Sequence, residues 1–347
     1  MRRPAMTDVA RLAGVSHQTV SRVLNEHPSV REETRLRVQA AITQLGYRPN
    51  STARALVTGR SQVIGVVTQS STLYGPASLL SAFEQAAGAA GFAVTVGSVR
   101  TLRRESIVEA VERHLNQRVA GIVLIAPVVQ ASEAIQDLPA DVPLVTVDGD
   151  PDHPAALVTV DQEGGAAMAT RHLLDAGHRT VWHVSGPPDW FDARGRIRGW
   201  RRTLEEAGAE VPPLLTGDWS AASGYRAGQM LVRMLDVTAV FAANDQLALG
   251  LLRALNERGR RVPHDVSLVG FDDVPEAAFY TPPLTTVRPD FAAVARSGLG
   301  LLLRQIESGV PGHERDTIAP ELVSRESVAP PPGGEGALPP RARSATS

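Results

Sequence analysis

Beyond residue 62 the chain alternates short runs rich in β-branched residues with Ala- and Leu-rich stretches of about 12 to 18 residues. Strands separated by helices of that length are typical of βαβ units, which build parallel sheets. The alternation therefore predicts an α/β fold. The predicted strands lie at 63–68, 93–99, 121–126, 143–147, 180–184, 239–242 and 266–271.

These strands form two sets, one before about residue 160 and one after it. A further strand at 284–287, followed by a helix at 290–306, would return the chain to the first set. We therefore predict a two-lobed domain over 61–329. Its first lobe would comprise about 61–160 and 290–329, and its second about 163–287. Parallel sheets bind ligands at the carboxyl ends of their strands, so we expect a ligand cleft there.

A separate unit precedes the sheets, because residues 7–46 carry the apolar spacing of short helices. The predicted helices cover 8–13, 17–24 and about 31–45. Gly14 and Gly46 follow the first and third helices, and Ser16 would cap the second. Two helices joined by a short turn that contains glycine indicate a helix-turn-helix domain, which we place at 5–49.

The first of these helices has its own predicted cap and buried face. Thr7 or Asp8 would accept hydrogen bonds from the first backbone N–H groups of the helix. The apolar spacing predicts that Val9, Leu12 and Ala13 point into the core of this small unit.

The charge of the chain is unevenly distributed. The formal net charge is −2, yet residues 1–60 hold ten Arg against four carboxylates, a balance of +6, which leaves −8 for the remainder. A basic head on an acidic body is typical of a nucleic-acid-binding module joined to a domain with another task.

The composition argues against several classes of enzyme. The chain has no Cys and no Lys, which excludes thiolate metal sites, a cysteine nucleophile and Schiff-base chemistry. No Gly-x-Ser-x-Gly, His-Glu-x-x-His or phosphate-loop motif is present. We therefore predict a protein that is not an enzyme and uses no cofactor and no metal.

The sequence predicts no membrane span and no apolar signal core. The first residues are polar, and no apolar run approaches the roughly 20 residues that span a bilayer, so we expect a cytoplasmic protein. Residues 330–347 are rich in Pro, Gly and Ser, which predicts a disordered tail.

Several strings of the head and body point to one family. In the head they are Asp8-Val9-Ala10, Ala13-Gly14-Val15-Ser16, Thr19-Val20-Ser21-Arg22-Val23-Leu24-Asn25 and Leu45-Gly46-Tyr47-Arg48-Pro49-Asn50. In the body they are Gly217-Asp218-Trp219-Ser220, Ala243-Asn244-Asp245-Gln246 and Pro282-Pro283-Leu284-Thr285-Thr286. Over about residues 5–329 the sequence resembles the lactose/galactose repressor (LacI/GalR) family of bacterial transcription regulators, and its body looks most like the lactose-type members.

The resemblance implies a helix-turn-helix domain, a hinge helix at 50–60 and a two-lobed effector domain similar to periplasmic binding proteins. It implies a sequence-specific repressor that binds near-palindromic operator DNA as a homodimer, is released by a sugar and is associated with the nucleoid when bound. The proline-rich tail cannot form the coiled coil that joins lactose-type dimers into tetramers, so we expect a dimer.

The second helix would be the recognition helix, which presents its first residues to base edges in the major groove. Gln18 suits adenine and Arg22 suits guanine. In the family a hinge leucine enters the minor groove as a wedge, and Leu56 occupies the matching place. The predicted DNA-binding residues are Thr7, Ser16, His17, Gln18, Thr19, Ser21, Arg22, Asn25, Thr34, Asn50, Ala53 and Leu56.

The family's effector positions match polar residues that we expect at strand ends. Carboxylates, amides and a guanidinium can bond the vicinal hydroxyls of a sugar, and an indole can cover its C–H surface. The predicted effector-binding residues are Leu73, Tyr74, Pro76, Asp148, Trp190, Asp192, Arg196, Trp219, Asn244 and Asp272. Ile125 and Pro289 replace two amides of the lactose-type pocket, so a disaccharide or β-glycoside is expected in a modified site.

Each of these residues also has a plain structural interpretation. Asn244 could cap the following helix, Trp219 could belong to the core, and Asp272 could cap a turn. Three other functions stay open: a purine-corepressor relative, a periplasmic sugar-binding protein and a sugar-modifying enzyme. The sugar, the operator and the sign of the effector's action are not determined by the sequence.

Overall fold

A computed structural model of the 347-residue chain describes residues 4–24, 27–47, 61–69, 72–101, 103–135, 138 and 142–332. The chain divides into two compact units, Met1–Gln62 and Val63–Ser347. Within the described ranges, no helix has both the length and the hydropathy needed to cross a membrane.

The first unit contains the three predicted helices, α1 (Met6–Ala13), α2 (His17–Leu24) and α3 (Glu32–Leu45). Their core is built around Val9, Val20 and Val38, which are fully buried. The predicted ends of α1 and α3 are confirmed, because Gly14 (φ 65°) and Gly46 (φ 59°) take the left-handed conformation that glycine adopts without strain. The cap of α2 is also confirmed, because Ser16 Oγ accepts the Thr19 N–H at 3.1 Å.

Two details of α1 differ from the prediction. The helix begins at Met6 with Ala5 as its N-cap, and the Asp8 carboxylate accepts the Ala5 N–H at 2.9 Å instead of capping the helix from its first position. Leu12 is 46% exposed, whereas Ala10 is buried beside Val9. The buried face of α1 therefore includes Ala10 in place of the predicted Leu12.

The second unit holds two six-stranded sheets. The strands are β1 (Val63–Gln69), β2 (Ala93–Val99), β3 (Gly121–Ile125), β4 (Leu144–Val147), β5 (Ala156–Val160), β6 (Trp182–Ser185), β7 (Leu215–Thr216), β8 (Ala239–Ala242), β9 (Ser267–Phe271), β10 (Thr285–Arg288), β11 (Arg315–Ile318) and β12 (Glu321–Val323). The strand order is β11-β5-β4-β3-β1-β2 in the first sheet and β12-β10-β9-β8-β6-β7 in the second. All these pairs are parallel except β10–β12, as the βαβ prediction requires.

Helices cover the sheets. They are α4 (Tyr74–Ala89), α5 (Arg104–Asn116), α6 (Val129–Ile135), α7 (Gln162–Asp175), α8 (Phe191–Glu206), α9 (Ala221–Leu231), α10 (Asp245–Glu257) and α11 (Phe291–Ser308), with a 3-10 turn at Pro275–Phe279. Every residue of β3 is buried, and alternate residues belong to two different hydrophobic clusters. A strand covered on both faces must be apolar throughout, which is why β3 reads as an unbroken aliphatic run.

The chain passes between the sheets three times, after β5, after β10 and after β11. The second crossing takes the chain back to the first sheet, where β11 pairs with β5. The third was not predicted: β12 pairs with β10, so the end of the predicted segment 290–329 belongs to the second lobe. The strands that the sequence missed, β5, β7, β11 and β12, include short or polar edge strands that give little periodic signal.

A buried histidine should make stability depend on pH. His183 on β6 is fully buried, its Nδ1 bonds the Phe241 carbonyl at 2.9 Å, and its ring stacks on the Phe241 ring at 4.6 Å. Burial lowers the pKa of His183 to about 3. Because the unfolded histidine keeps its ordinary pKa near 6.5, the folded state binds fewer protons between those values.

We therefore expect the contribution of His183 to the free energy of unfolding to be present above about pH 6.5 and to fall below it, by up to about 1.4 kcal/mol per pH unit. Urea unfolding from pH 7 to pH 4 should show a shallower dependence in His183→Gln than in the wild type. His264→Gln, which changes an exposed histidine, should keep the wild-type dependence. Identical slopes in all three proteins would contradict this assignment.

Candidate functional site

A narrow cavity of about 20 Å³ lies between the two lobes of the second unit. Strands β3, β4 and β9 point their carboxyl ends at it through Ile125, Asp148 and Asp272. Its lining comprises Gly75, Pro76, Leu79, Ile125, Pro127, Asp148, Gln162, Asp192, Arg196, Asp272, Pro289 and Phe291. The position at the strand ends is the one that parallel sheets favour for ligands.

Arg196 is the buried cation of this cavity. Its Nε donates to Gln162 Oε1 at 2.8 Å, one terminal nitrogen donates to the Ala243 carbonyl, and the other lies 3.6 Å from Asp272 Oδ1. The guanidinium carbon stands 3.7 Å from the centre of the Phe271 ring. The residue lies on helix α8 and not at a strand end as predicted. These contacts hold the guanidinium in one orientation before any ligand arrives.

Two carboxylates reach the cavity from strained backbone. Asp148 (φ 51°) and Asp272 (φ 105°) follow β4 and β9 with positive φ, which is costly for residues other than glycine. Asp148 Oδ1 accepts the Thr159 hydroxyl at 2.9 Å and the Val160 N–H at 3.1 Å. Burial raises the pKa of Asp148, and it raises the pKa of Asp272 to about 6 although Arg196 opposes the shift.

Asp192 is the third carboxylate. It lies in the first turn of α8, is half-buried, and has no hydrogen bond or ion pair with any residue that the structure describes. Burial, and then the nearby charge of Asp148, raise the pKa of Asp192 well above its ordinary value. Asp192 is therefore a carboxylate without a partner inside the cavity.

Backbone hydrogen bonds join the lobes beside the cavity. The Phe191 N–H donates to the Pro127 carbonyl at 2.8 Å, and the Val129 N–H donates to the Asp189 carbonyl at 3.0 Å. Val128 and Trp190 form an isolated antiparallel bridge between these two bonds. The cleft is therefore closed on this side in the structure.

The structure brings together only part of the predicted effector set. Pro76, Asp148, Asp192, Arg196 and Asp272 line the cavity, together with Ile125 and Pro289, the two departures from the lactose-type pattern. The other predicted residues, Leu73, Tyr74, Trp190, Trp219 and Asn244, are not among the lining residues. Leu73, Tyr74 and Trp190 are partly buried against the hydrophobic core of the second lobe.

Trp219 and Asn244 take the structural roles that the sequence left open. Trp219 is 5% exposed, belongs to the core and meets the edge of Trp190 at a ring distance of 5.5 Å. Asn244 caps helix α10, because its Oδ1 accepts the Leu247 N–H at 2.9 Å while its Nδ2 donates to the Trp219 carbonyl at 3.2 Å. Neither residue lines the cavity, although the Trp219 ring lies 5.5 Å from the guanidinium carbon of Arg196 and its Nε1 is buried without a hydrogen-bond partner among the described residues.

Sequence reasoning missed Gln162 and Phe291. Gln162 begins α7 directly after the first crossing between lobes, and Phe291 begins α11 directly after the second. Crossing segments pass the cleft by necessity, so the first residue after each predicted crossing was a signal that could have found both.

The predicted DNA-contacting residues lie on the first unit. Thr7, Ser16, His17, Gln18 and Arg22 are exposed, while Thr19, Ser21 and Thr34 are half-buried. Ser16 Oγ also lies 2.9 Å from Thr19 Oγ1, so both hydroxyls take part in the cap of α2. Asn25, Asn50, Ala53 and Leu56, like the predicted hinge at 50–60 and the tail from residue 333, lie outside the described residues.

The chain matches known proteins along nearly all of its length. Residues 5–50 match the family of bacterial regulatory proteins, lacI family, and residues 170–328 match a periplasmic binding protein-like domain. The lactose operon repressor of Escherichia coli K12 is 35% identical over 95% of this chain and 92% of its own length. The transcriptional repressor PurR of Haemophilus influenzae strain PittEE is 32% identical over 92% of this chain and 97% of its own.

Solved structures of repressors are similar to this chain as well. A lac repressor dimer bound to operator and the anti-inducer ONPF matches with a TM-score of 0.85 and 34% identity, over 94% of this chain and 100% of that one. A complex of the transcriptional regulator CelR with cellobiose matches with a TM-score of 0.69 and 32% identity, over the same shares. The helix-turn-helix unit, the two parallel-sheet lobes and the similarity to repressors along the chain agree: this protein belongs to the lacI family of bacterial regulatory proteins.

Proposed function

We propose that this protein is a homodimeric repressor of carbohydrate-utilisation genes that acts in the cytoplasm and is released from a near-palindromic operator by a saccharide, a disaccharide or β-glycoside. The cavity carries the proposal, because one fixed guanidinium and three carboxylates from both lobes converge in it. Such groups bond adjacent hydroxyls in pairs. The similarity to a lac repressor dimer bound to operator supports the DNA-binding part of the proposal, and the similarity to a CelR–cellobiose complex supports the saccharide.

Release would follow from linkage between the two sites. If the saccharide binds one arrangement of the lobes better than another, it shifts the protein toward that arrangement. An effector that weakens operator binding by a given factor must itself bind the operator complex more weakly by the same factor. The backbone bridge between Val128 and Trp190 joins the two lobes, so a change in their separation would act on this contact.

The direct test is operator binding in the presence of candidate effectors. Duplexes selected from random DNA by the protein would serve as operator, and anisotropy titrations would include mono- and disaccharides, guanine and hypoxanthine. We expect a saccharide to lower the affinity of the protein for the operator duplex. A purine that tightens binding would instead assign the chain to the corepressor-dependent branch, as the similarity to PurR allows.

The recognition helix can be tested in the same titration. Gln18 is exposed near the start of α2, and a glutamine that bonds adenine bidentately contributes about 1 to 3 kcal/mol. We expect Gln18→Ala to weaken operator binding about 5- to 150-fold for each half-site that the dimer contacts, and to relax the base preference at one position of each half-site. Gln39→Ala, which truncates an exposed glutamine of α3, should leave the affinity unchanged. Equal losses in the two variants would refute a recognition role for α2.

A further inference from the structure

The charges in the cavity do not balance. Asp148, Asp192 and Asp272 face it with a single cation, Arg196. The guanidinium is already engaged by Gln162, the Ala243 carbonyl and Asp272. An empty cavity with three ionised carboxylates would therefore hold two negative charges in excess, which a low-dielectric site does not tolerate.

The acceptors that stay free lie on two residues. Asp148 is 4% exposed and uses one oxygen, Oδ1, for Thr159 and Val160, which leaves Oδ2 without a donor in the described part of the chain. The Asp192 carboxylate has no partner on either oxygen among the same residues, and its half-buried side chain lines the cavity. The walls beside them are apolar, with Ile125, Pro289 and Phe291 offering no side-chain donor.

We propose that the effector is an amino sugar, a saccharide whose protonated primary amine is bound by the carboxylates of Asp192 and Asp148. The inference rests on the proposed function, since it concerns the saccharide that would occupy the same cavity. An ammonium group supplies up to three donors and one positive charge, which fits two unpartnered acceptors that carry excess negative charge. The sugar hydroxyls remain for Arg196 and Asp272.

Two other occupants fit the cavity less well. No group of three Asp, Glu or His in the described part of the chain is arranged to hold a metal ion. A neutral sugar would leave the excess charge in place, so Asp192 would have to stay protonated and serve as a donor. A cation instead lets Asp192 ionise, because it replaces the proton as the compensating charge.

A matched pair of probes separates these occupants: cellobiose, and the β-1,4-linked disaccharide of glucosamine, in which amines replace the C2 hydroxyls. In titration calorimetry with the full chain near pH 6, we expect the glucosamine disaccharide to bind at least about tenfold tighter than cellobiose. The same disaccharide should release operator DNA at lower concentration.

Proton release gives a second, independent readout. Binding of the ammonium should ionise Asp192, so the calorimetric heat should depend on the buffer's ionisation enthalpy and show net proton release. The affinity should rise as the pH increases through about 6, the value to which burial raises the pKa of Asp272. At lower pH the ligand must displace protons from Asp272 and from Asp192, whose pKa is also raised; Asp148 and Arg196 face both groups. Cellobiose should show neither effect.

The variant Asp192→Asn keeps the shape and removes the charge. We expect it to reduce the ratio of the two affinities to about one and to abolish the proton release, while Asp152→Asn, an exposed aspartate outside the cavity, keeps both. Equal or tighter binding of cellobiose by the wild type would overturn the amino-sugar inference and leave the proposed function intact. Operator release by no saccharide, amino or neutral, would overturn both.

Discussion

Replacing Gly250 by alanine is expected to destabilise the second unit by about 3 kcal/mol. A Cβ at this position would lie 2.0 Å from the Ala221 carbonyl oxygen and 2.4 Å from the Tyr225 nitrogen, where α10 crosses α9. Both obstacles are backbone atoms, so the helices must move apart and core packing is lost. Alanine gains up to about 1 kcal/mol of helix propensity over glycine, which is smaller than this steric cost.

The same substitution at a glycine of another helix should increase the stability of the protein instead of lowering it. Gly88 is exposed within α4, and a Cβ there would meet nothing within 4 Å. Gly88→Ala should therefore stabilise the protein by up to about 1 kcal/mol. Urea unfolding followed by circular dichroism measures both variants. A Gly250→Ala protein as stable as the wild type would show that the crossing of α9 and α10 is less tight than the structure has it.

Replacing Arg196 by lysine is expected to weaken effector binding at least about thirtyfold. Lysine keeps the charge but cannot donate at once to Gln162, the Ala243 carbonyl and Asp272 from one plane. Leaving buried acceptors such as Gln162 Oε1 and the Ala243 carbonyl without their donor costs about 1 to 3 kcal/mol for each acceptor. The cost here should fall on affinity, because the site loses both its fixed donor geometry and its stacking on Phe271.

The control is the same substitution two residues later on α8. Arg198 is exposed and paired with Glu163 outside the cavity, so Arg198→Lys should retain the affinity of the wild type. Calorimetry with the saccharide that releases the operator measures binding, and thermal unfolding verifies that both variants are folded. If Arg196→Lys bound the saccharide as tightly as the wild type does, the effector site would lie outside this cavity.

The fold was predictable to the extent that its signals are local. Alternating β-branched and Ala/Leu-rich segments predicted eight of the strands and the first two crossings, because each element carries its own period. The third crossing escaped because β11 and β12 are short edge strands with exposed polar residues. Such strands form because a neighbouring strand is available to pair with, and the local sequence does not specify that neighbour.

The sequence predicted individual residues of the site but not which of their side chains meet in the cavity. Asp148 and Asp272 were found because they stand at positions that match the family's effector-binding residues. Trp219 and Asn244 carried an equally strong signal, yet the structure gives one to the core and the other to a helix cap. Residue type shows what a side chain can bind, whereas its direction depends on packing between elements that are distant in the chain.

By itself the sequence determined the helix-turn-helix unit, the two parallel-sheet lobes and the family, since all of these depend on spacing and local order along the chain. Only the tertiary structure decided that Asp148, Asp192 and Asp272 share one cavity with a single cation, Arg196, whose guanidinium is held in place by its neighbours. Burial and proximity set that charge balance, and both arise only when strand ends and a helix from two lobes meet.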